Sequence, residues 1–173
     1  AQELNYTHLL KDFASKIADK NTGSYFLNLP NSSREVINGA MKIISGLDWI
    51  EEEIHYPEKL IDYCIDNTPI LEGCDIVDFV YVLHKCSRQV GHRKKEINNI
   101  LSNLLDQLLN LYNKEDNSFS YFKDRSQTHY YGIEITEGLN RADIHGSTLC
   151  LWAIIMILQS LGIADNKLKN IKP

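Results

Sequence analysis

Asp143-Ile-His-Gly-Ser-Thr-Leu-Cys-Leu-Trp-Ala-Ile-Ile-Met-Ile-Leu158 is the stretch on which the fold of this chain turns. Two ionisable residues and a short polar segment run directly into an unbroken apolar run from Leu149 to Leu158. That run is about half the ~20 residues needed to span a bilayer, so no transmembrane segment is expected there. It predicts instead a helix over 145–162, apolar on nearly every side and enclosed by other helices. Asp143 and His145 stand at the mouth of that helix and are the candidate catalytic residues. Each also suits a structural use, Asp143 as an N-cap and His145 as a hydrogen-bond partner of a neighbouring loop.

Upstream lies a long polar and aromatic segment, 118–142, that resists a helical reading. The alternation of Tyr131, Ile133 and Ile135 predicts either a short β-hairpin or an ordered aromatic loop. A connection of this length exceeds what joining two helices requires, and such loops often carry function. Tyr121, Phe122, His129 and Tyr131, with Trp152 from the following helix, are the candidate ligand-binding residues. Aromatic side chains serve a pocket and a core equally well, and both uses stand open here. Asp124, Glu134 and Glu137 could pair with Asp143 in glycoside chemistry, although solvated loop charges account for them as well.

The remainder of the chain is helical in period. Tyr6, Leu9, Leu10, Phe13, Ala14, Ile17 and Ala18 form one apolar face, and Ile97 through Tyr112 repeat the pattern. Residues 75–86, by contrast, hold Ile76, Val77, Phe79, Val80, Tyr81, Val82 and Leu83, as expected of an enclosed helix. Turn chemistry at Asn21-Thr-Gly23, Leu29-Pro-Asn-Ser-Ser33, Tyr56-Pro57, Thr68-Pro69 through Gly73 and Gln89-Val-Gly91 separates the segments. Ser32 or Ser33 with Glu35 predicts a capping box. The pattern reads as three helical hairpins, 3–19 with 33–50, 58–66 with 73–88, and 94–113 with 145–162. A weak internal echo, Gly23-Ser-Tyr-Phe26 against Ser118-Phe-Ser-Tyr-Phe122, supports a repeat. The expected fold is therefore all-α, one domain of stacked hairpins over 1–173.

Composition narrows the function classes. A net charge of −5 gives no electrostatic reason to expect nucleic acid. The basic cluster Arg88, His92, Arg93, Lys94, Lys95 is short enough to be a solvated loop. Four cysteines at irregular spacing, each among apolar residues, predict buried free thiols and a reducing, cytoplasmic setting. His129, Asp143, His145 and Cys150 are chemically able to hold a metal, but their spacing matches no metal signature. Neither a metal nor a cofactor is assigned. No GxGxxG, P-loop, HExxH or GxSxG motif is present.

Ser118-Phe-Ser-Tyr-Phe122 followed by Asp143-Ile-His-Gly-Ser-Thr-Leu-Cys-Leu-Trp152 resembles the terpenoid-cyclase and protein-prenyltransferase superfamily. The resemblance implies an α/α toroid of inner and outer helices, with glycine- and aromatic-rich turns before inner helices and catalytic groups where those helices begin. In class II cyclases of that superfamily an Asp-x-Asp-Asp-Thr motif protonates the substrate; here Asp143 is kept and His145 stands in the donor's place. In the prenyltransferases an Asp-x-Cys pair binds zinc at a similar position, and Asp143-x-His145 resembles it chemically. The resemblance thus implies kinship of fold with the standard catalytic set altered, in a domain binding a hydrophobic or small polar ligand. Three hairpins make half of such a ring, so a second copy forming a homodimer, or a missing half-toroid segment, is expected to complete it. Two alternatives stand beside this reading. One is an isoprenoid-processing or carbohydrate-active α/α-barrel enzyme using Asp143 and His145. The other is a helical protein-interaction module.

Overall fold

A computed structural model describes residues 6–28, 30–68 and 72–164. Within them lie six helices: α1 (Thr7–Ile17), α2 (Ser33–Trp49), α3 (Pro57–Asp66), α4 (Cys74–Gln89), α5 (Lys94–Leu109) and α6 (Ile144–Ser160). Two antiparallel strand pairs stand between α5 and α6: β1 (Tyr112–Asn113) with β2 (Ser118–Phe119), and β3 (His129–Tyr130) with β4 (Ile133–Glu134). The fold is all-α with a short β-hairpin in the aromatic segment, as the periodicity predicts. No helix among the described residues is long and apolar enough to cross a membrane. The chain divides into two compact units, Ala1–Ile70 with Tyr81–Ile97, and Leu71–Val80 with Asn98–Pro173.

In the first unit, α1 and α2 pack together, and Ser32 caps α2 as expected, while the reciprocal Glu35 bond falls one residue earlier than a capping box has it. Ser32 Oγ accepts from the Glu35 N–H at 3.3 Å, while the Glu35 carboxylate accepts from the Asn31 N–H at 2.8 Å. Val36, Ile37, Ala40, Ile44 and Leu47 are the buried face of α2, recurring at helical spacing. Helix α1 departs from expectation. Ala14 and Ile17 are buried, but Tyr6, Leu9, Leu10 and Phe13 are about half exposed.

The second unit holds the aromatic segment and α6. Helix 94–113 of the sequence reading stops at Leu109, because Leu111 to Asn113 turn into a ladder with Ser118 to Ser120. Expected to be enclosed on all sides, α6 buries Gly146, Cys150, Ala153, Met156 and Ile157 but leaves Ile144 and Leu151 exposed. An all-apolar helix has no polar face to reveal which side the chain itself covers. Residues 75–84, by contrast, are buried throughout.

The internal echo takes physical form in both units, in a register two residues from the one the letters suggest. Asp19 Oδ2 accepts from the N–H groups of Asn21 and Thr22, and Asn113 Oδ1 accepts from those of Glu115 and Asp116. Each of these Asx turns reaches a residue in the left-handed region, Gly23 (φ 75°) and Asn117 (φ 51°). An antiparallel bridge follows each, Ala18 with Tyr25 and Tyr112 with Phe119. Ser24 Oγ then donates to the Val36 carbonyl of α2, and Ser118 Oγ pairs with Ser147 Oγ of α6, in each case four residues past the helix cap. Gly23-Ser-Tyr25 therefore corresponds to Asn117-Ser-Phe119. Gly23 is required there, since a Cβ would lie 2.4 Å from the Leu60 nitrogen.

Candidate functional site

The start of α6 is built around Asp143. Its backbone is extended (φ −137°, ψ 159°), and Oδ1 accepts from the Gly146 N–H at 2.7 Å, a side-chain N-cap. Oδ2 accepts two further backbone N–H groups, from Tyr121 at 2.8 Å and Gln127 at 3.2 Å. One carboxylate thus caps the helix and ties down both ends of the loop that crosses it. Gly146 makes the crossing possible, because a Cβ there would stand 2.4 Å from the Tyr121 nitrogen and 2.5 Å from the Ser120 carbonyl carbon. Ser147 adds a further tie: its hydroxyl lies 2.7 Å from the Asp143 carbonyl and accepts from the Phe119 N–H at 3.3 Å.

His145 lies in an aromatic slot one step along. Its Nδ1 is 2.6 Å from the side-chain oxygen of Gln127, which accepts and so places the ring proton on Nδ1. The Tyr121 ring lies over the imidazole at a centroid distance of 5.0 Å, tilted 31°, and Tyr130 meets it edge-on at 5.9 Å.

Tyr121 joins this slot to a second feature. Its hydroxyl accepts from the Cys74 N–H at 3.1 Å, at the first turn of α4, and its ring lies where a Cβ on Gly73 would be, 2.2 Å from the nearest ring carbon. Burial first, and then the Cys74 side chain, push the Tyr121 hydroxyl well above the usual phenol range, so it stays protonated. Beside it opens a cavity of about 380 Å³. The start of α4 contributes Glu72, Gly73 and Ile76, and the end of α5 contributes Gln107, Asn110 and Leu111. The loop closes it with Tyr121, Phe122, Lys123 and Arg125. Arg125 also covers the Phe122 ring, its guanidinium carbon 4.7 Å from the centroid.

The residues singled out in the sequence divide into groups. Asp143 and His145 meet Tyr121 at the head of α6, and Tyr121 and Phe122 line the cavity. His129 is exposed on β3, Tyr131 is 91% exposed at the hairpin turn, and Trp152 is half-buried on α6. Asp124, Glu134 and Glu137 are exposed. Among the described residues no group of three or more His, Cys, Asp or Glu side chains is placed to hold a metal ion, so His129, Asp143, His145 and Cys150 do not form a set. Sequence reasoning missed the polar side of the cavity, Glu72, Gln107, Asn110, Lys123 and Arg125. The signal available was the compact Phe122-Lys-Asp-Arg125 turn, an aromatic residue followed by two cations within three positions.

All four cysteines are free thiols. No protein-family model matches the chain, and no characterised protein or solved structure is significantly similar to it.

Proposed function

We propose that this chain is a divergent domain of the prenyltransferase and terpenoid-cyclase type that binds a small, partly apolar ligand without that superfamily's catalytic chemistry. The observation that carries the reading is the cavity of about 380 Å³ beside Tyr121 and Phe122, within the roughly 300–1,000 Å³ typical of small-molecule sites. Its roof is the loop that Asp143 clamps through the N–H groups of Tyr121 and Gln127. A carboxylate holding three backbone donors is engaged as scaffold, and releasing it for proton transfer would cost the loop its anchor. The toroid kinship draws support from the paired turn motifs before α2 and α6, the repeated joint expected of stacked hairpins.

Binding of a neutral, environment-sensitive naphthylamine dye tests the reading. Fluorescence should rise on addition of the protein and should not rise with Leu111→Trp, which fills the cavity. Equal signals from the two proteins, or none from either, would refute it.

One observation favours a second reading, association with another copy of the chain through α1. Tyr6, Leu9, Leu10 and Phe13 form a contiguous apolar stripe on that helix, each about half exposed. Sedimentation analysis of the wild type against Leu10→Lys distinguishes the two readings: a dimer converted to monomer supports association, and a wild-type monomer removes it.

A further inference from the structure

We infer that the cavity beside Tyr121 takes a small zwitterion with an apolar body, the class of a free α-amino acid with an apolar side chain. This rests on the ligand-binding reading above and gives that site its chemistry. Charges of both signs line the same cavity: Glu72 ahead of α4, and Lys123 and Arg125 in the loop. Among the described residues no salt bridge joins any of the three to an opposite charge. Cations and a carboxylate that share a recess without meeting each other leave room for a ligand carrying the complementary charges.

The surrounding elements agree with that arrangement. The carbonyl end of α5, at Gln107 to Asn110, carries the negative end of a helix dipole, which with Glu72 favours an ammonium group. The Arg125 guanidinium lies over the Phe122 ring beside the cavity, and its planar fork of donors suits bidentate capture of a carboxylate. Ile76 and Leu111 complete an apolar wall with Phe122 for the ligand's side chain. A simple anion would use Lys123 and Arg125 but leave Glu72 repelling it. A purely apolar ligand would use only the Ile76, Leu111 and Phe122 wall and leave the three charges without partners.

Calorimetric titration of the full chain tests this with four probes: L-leucine, N-acetyl-L-leucine, L-leucine amide and inorganic phosphate. Free leucine should bind about tenfold or more tightly than either blocked form, the size expected for one lost charge-assisted contact. Glu72→Gln should abolish the preference over the N-acetyl form alone, and the double variant Lys123→Gln/Arg125→Gln the preference over the amide alone. These are exposed side chains, so the folded state is retained and circular dichroism verifies it. Equal binding of leucine and N-acetyl-leucine, or phosphate binding as tightly as leucine, would overturn the inference in favour of a plain anion site. Absence of leucine binding would overturn it as well. Entry of the neutral dye would then show that the broader ligand-binding reading still holds, and its exclusion that both fail together.

Discussion

Replacing Asp143 separates a scaffold carboxylate from a reactive one. Asp143→Ala removes the acceptor of three backbone N–H groups, those of Gly146, Tyr121 and Gln127. Losing the helix cap costs about 1 kcal/mol. Each of the other two part-buried donors, left without its charged acceptor, adds about 1 kcal/mol, giving roughly 3 kcal/mol in all. Asp143→Asn keeps one oxygen to cap Gly146, but its amide NH₂ would face the Tyr121 and Gln127 donors, for a loss of about 2 kcal/mol. For a chain of this size each kcal/mol moves the melting temperature by roughly 2–4 °C. The alanine variant should therefore melt about 6–12 °C lower, and asparagine should fall between it and the wild type. Urea denaturation followed by circular dichroism gives the free energies. Exchange protection of the Tyr121 and Gln127 amides gives the local readout and should collapse in both variants. If both variants unfold within about 0.5 kcal/mol of the wild type, with the two amides still protected, Asp143 does not clamp the loop.

Glycine substitutions at two sites should have opposite signs. Gly146→Ala drives a methyl into the backbone of Ser120 and Tyr121 and should destabilise by about 2–3 kcal/mol, whereas Gly46→Ala in α2 meets nothing within 4 Å and should stabilise by about 0.5–1 kcal/mol in the same urea assay. Arg141, followed by the Ala142 N–H, holds the Asp116 carboxyl below the usual carboxylate range. A carboxyl whose pKa is lower folded than unfolded contributes stability above the ordinary value of about 4 and loses it as pH falls through the folded value, so Arg141→Gln should raise the NMR-measured Asp116 pKa and blunt the acid limb of the stability curve. Burial raises the Cys64 and Cys86 thiols and lifts Cys150 to about 11, so at pH 8 an aromatic disulfide reagent should label the half-buried Cys74 first and the other three only after denaturant is added.

Much of the local structure was legible because it is written in neighbouring residues. The Ser32 cap of α2 and the Asp143 cap of α6 both depend on side chains within a few positions of the helix they open. The stripe read over 97–112 was plain as far as Leu108, since polar residues mark the uncovered face, although Leu109 and Tyr112 at its end are exposed. Where no polar residues interrupt the pattern, the reading lost its footing. Ile144 and Leu151 of α6 are exposed although the helix reads as enclosed. Tyr6 to Phe13 form a well-made apolar face on α1 that the described chain leaves half open. Hydrophobic period tells which residues seek cover and not what covers them.

The candidate site divides along the same line. From sequence alone, Asp143 and His145 were marked as polar residues at the mouth of an apolar helix, and Asp143 as a natural cap. Only the tertiary structure decided what the second carboxylate oxygen does, because its donors come from Tyr121 and Gln127, far upstream in the chain. The same holds for the slot that fixes the His145 proton and for the cavity. The cavity joins the start of α4, the end of α5 and the Phe122–Arg125 turn, three segments with no common sequence period. Helix type and caps follow from short-range sterics and hydrogen bonding. A binding recess exists only where chain crossings bring distant side chains together, and here Gly73 and Gly146, by lacking a Cβ, set how closely those crossings approach.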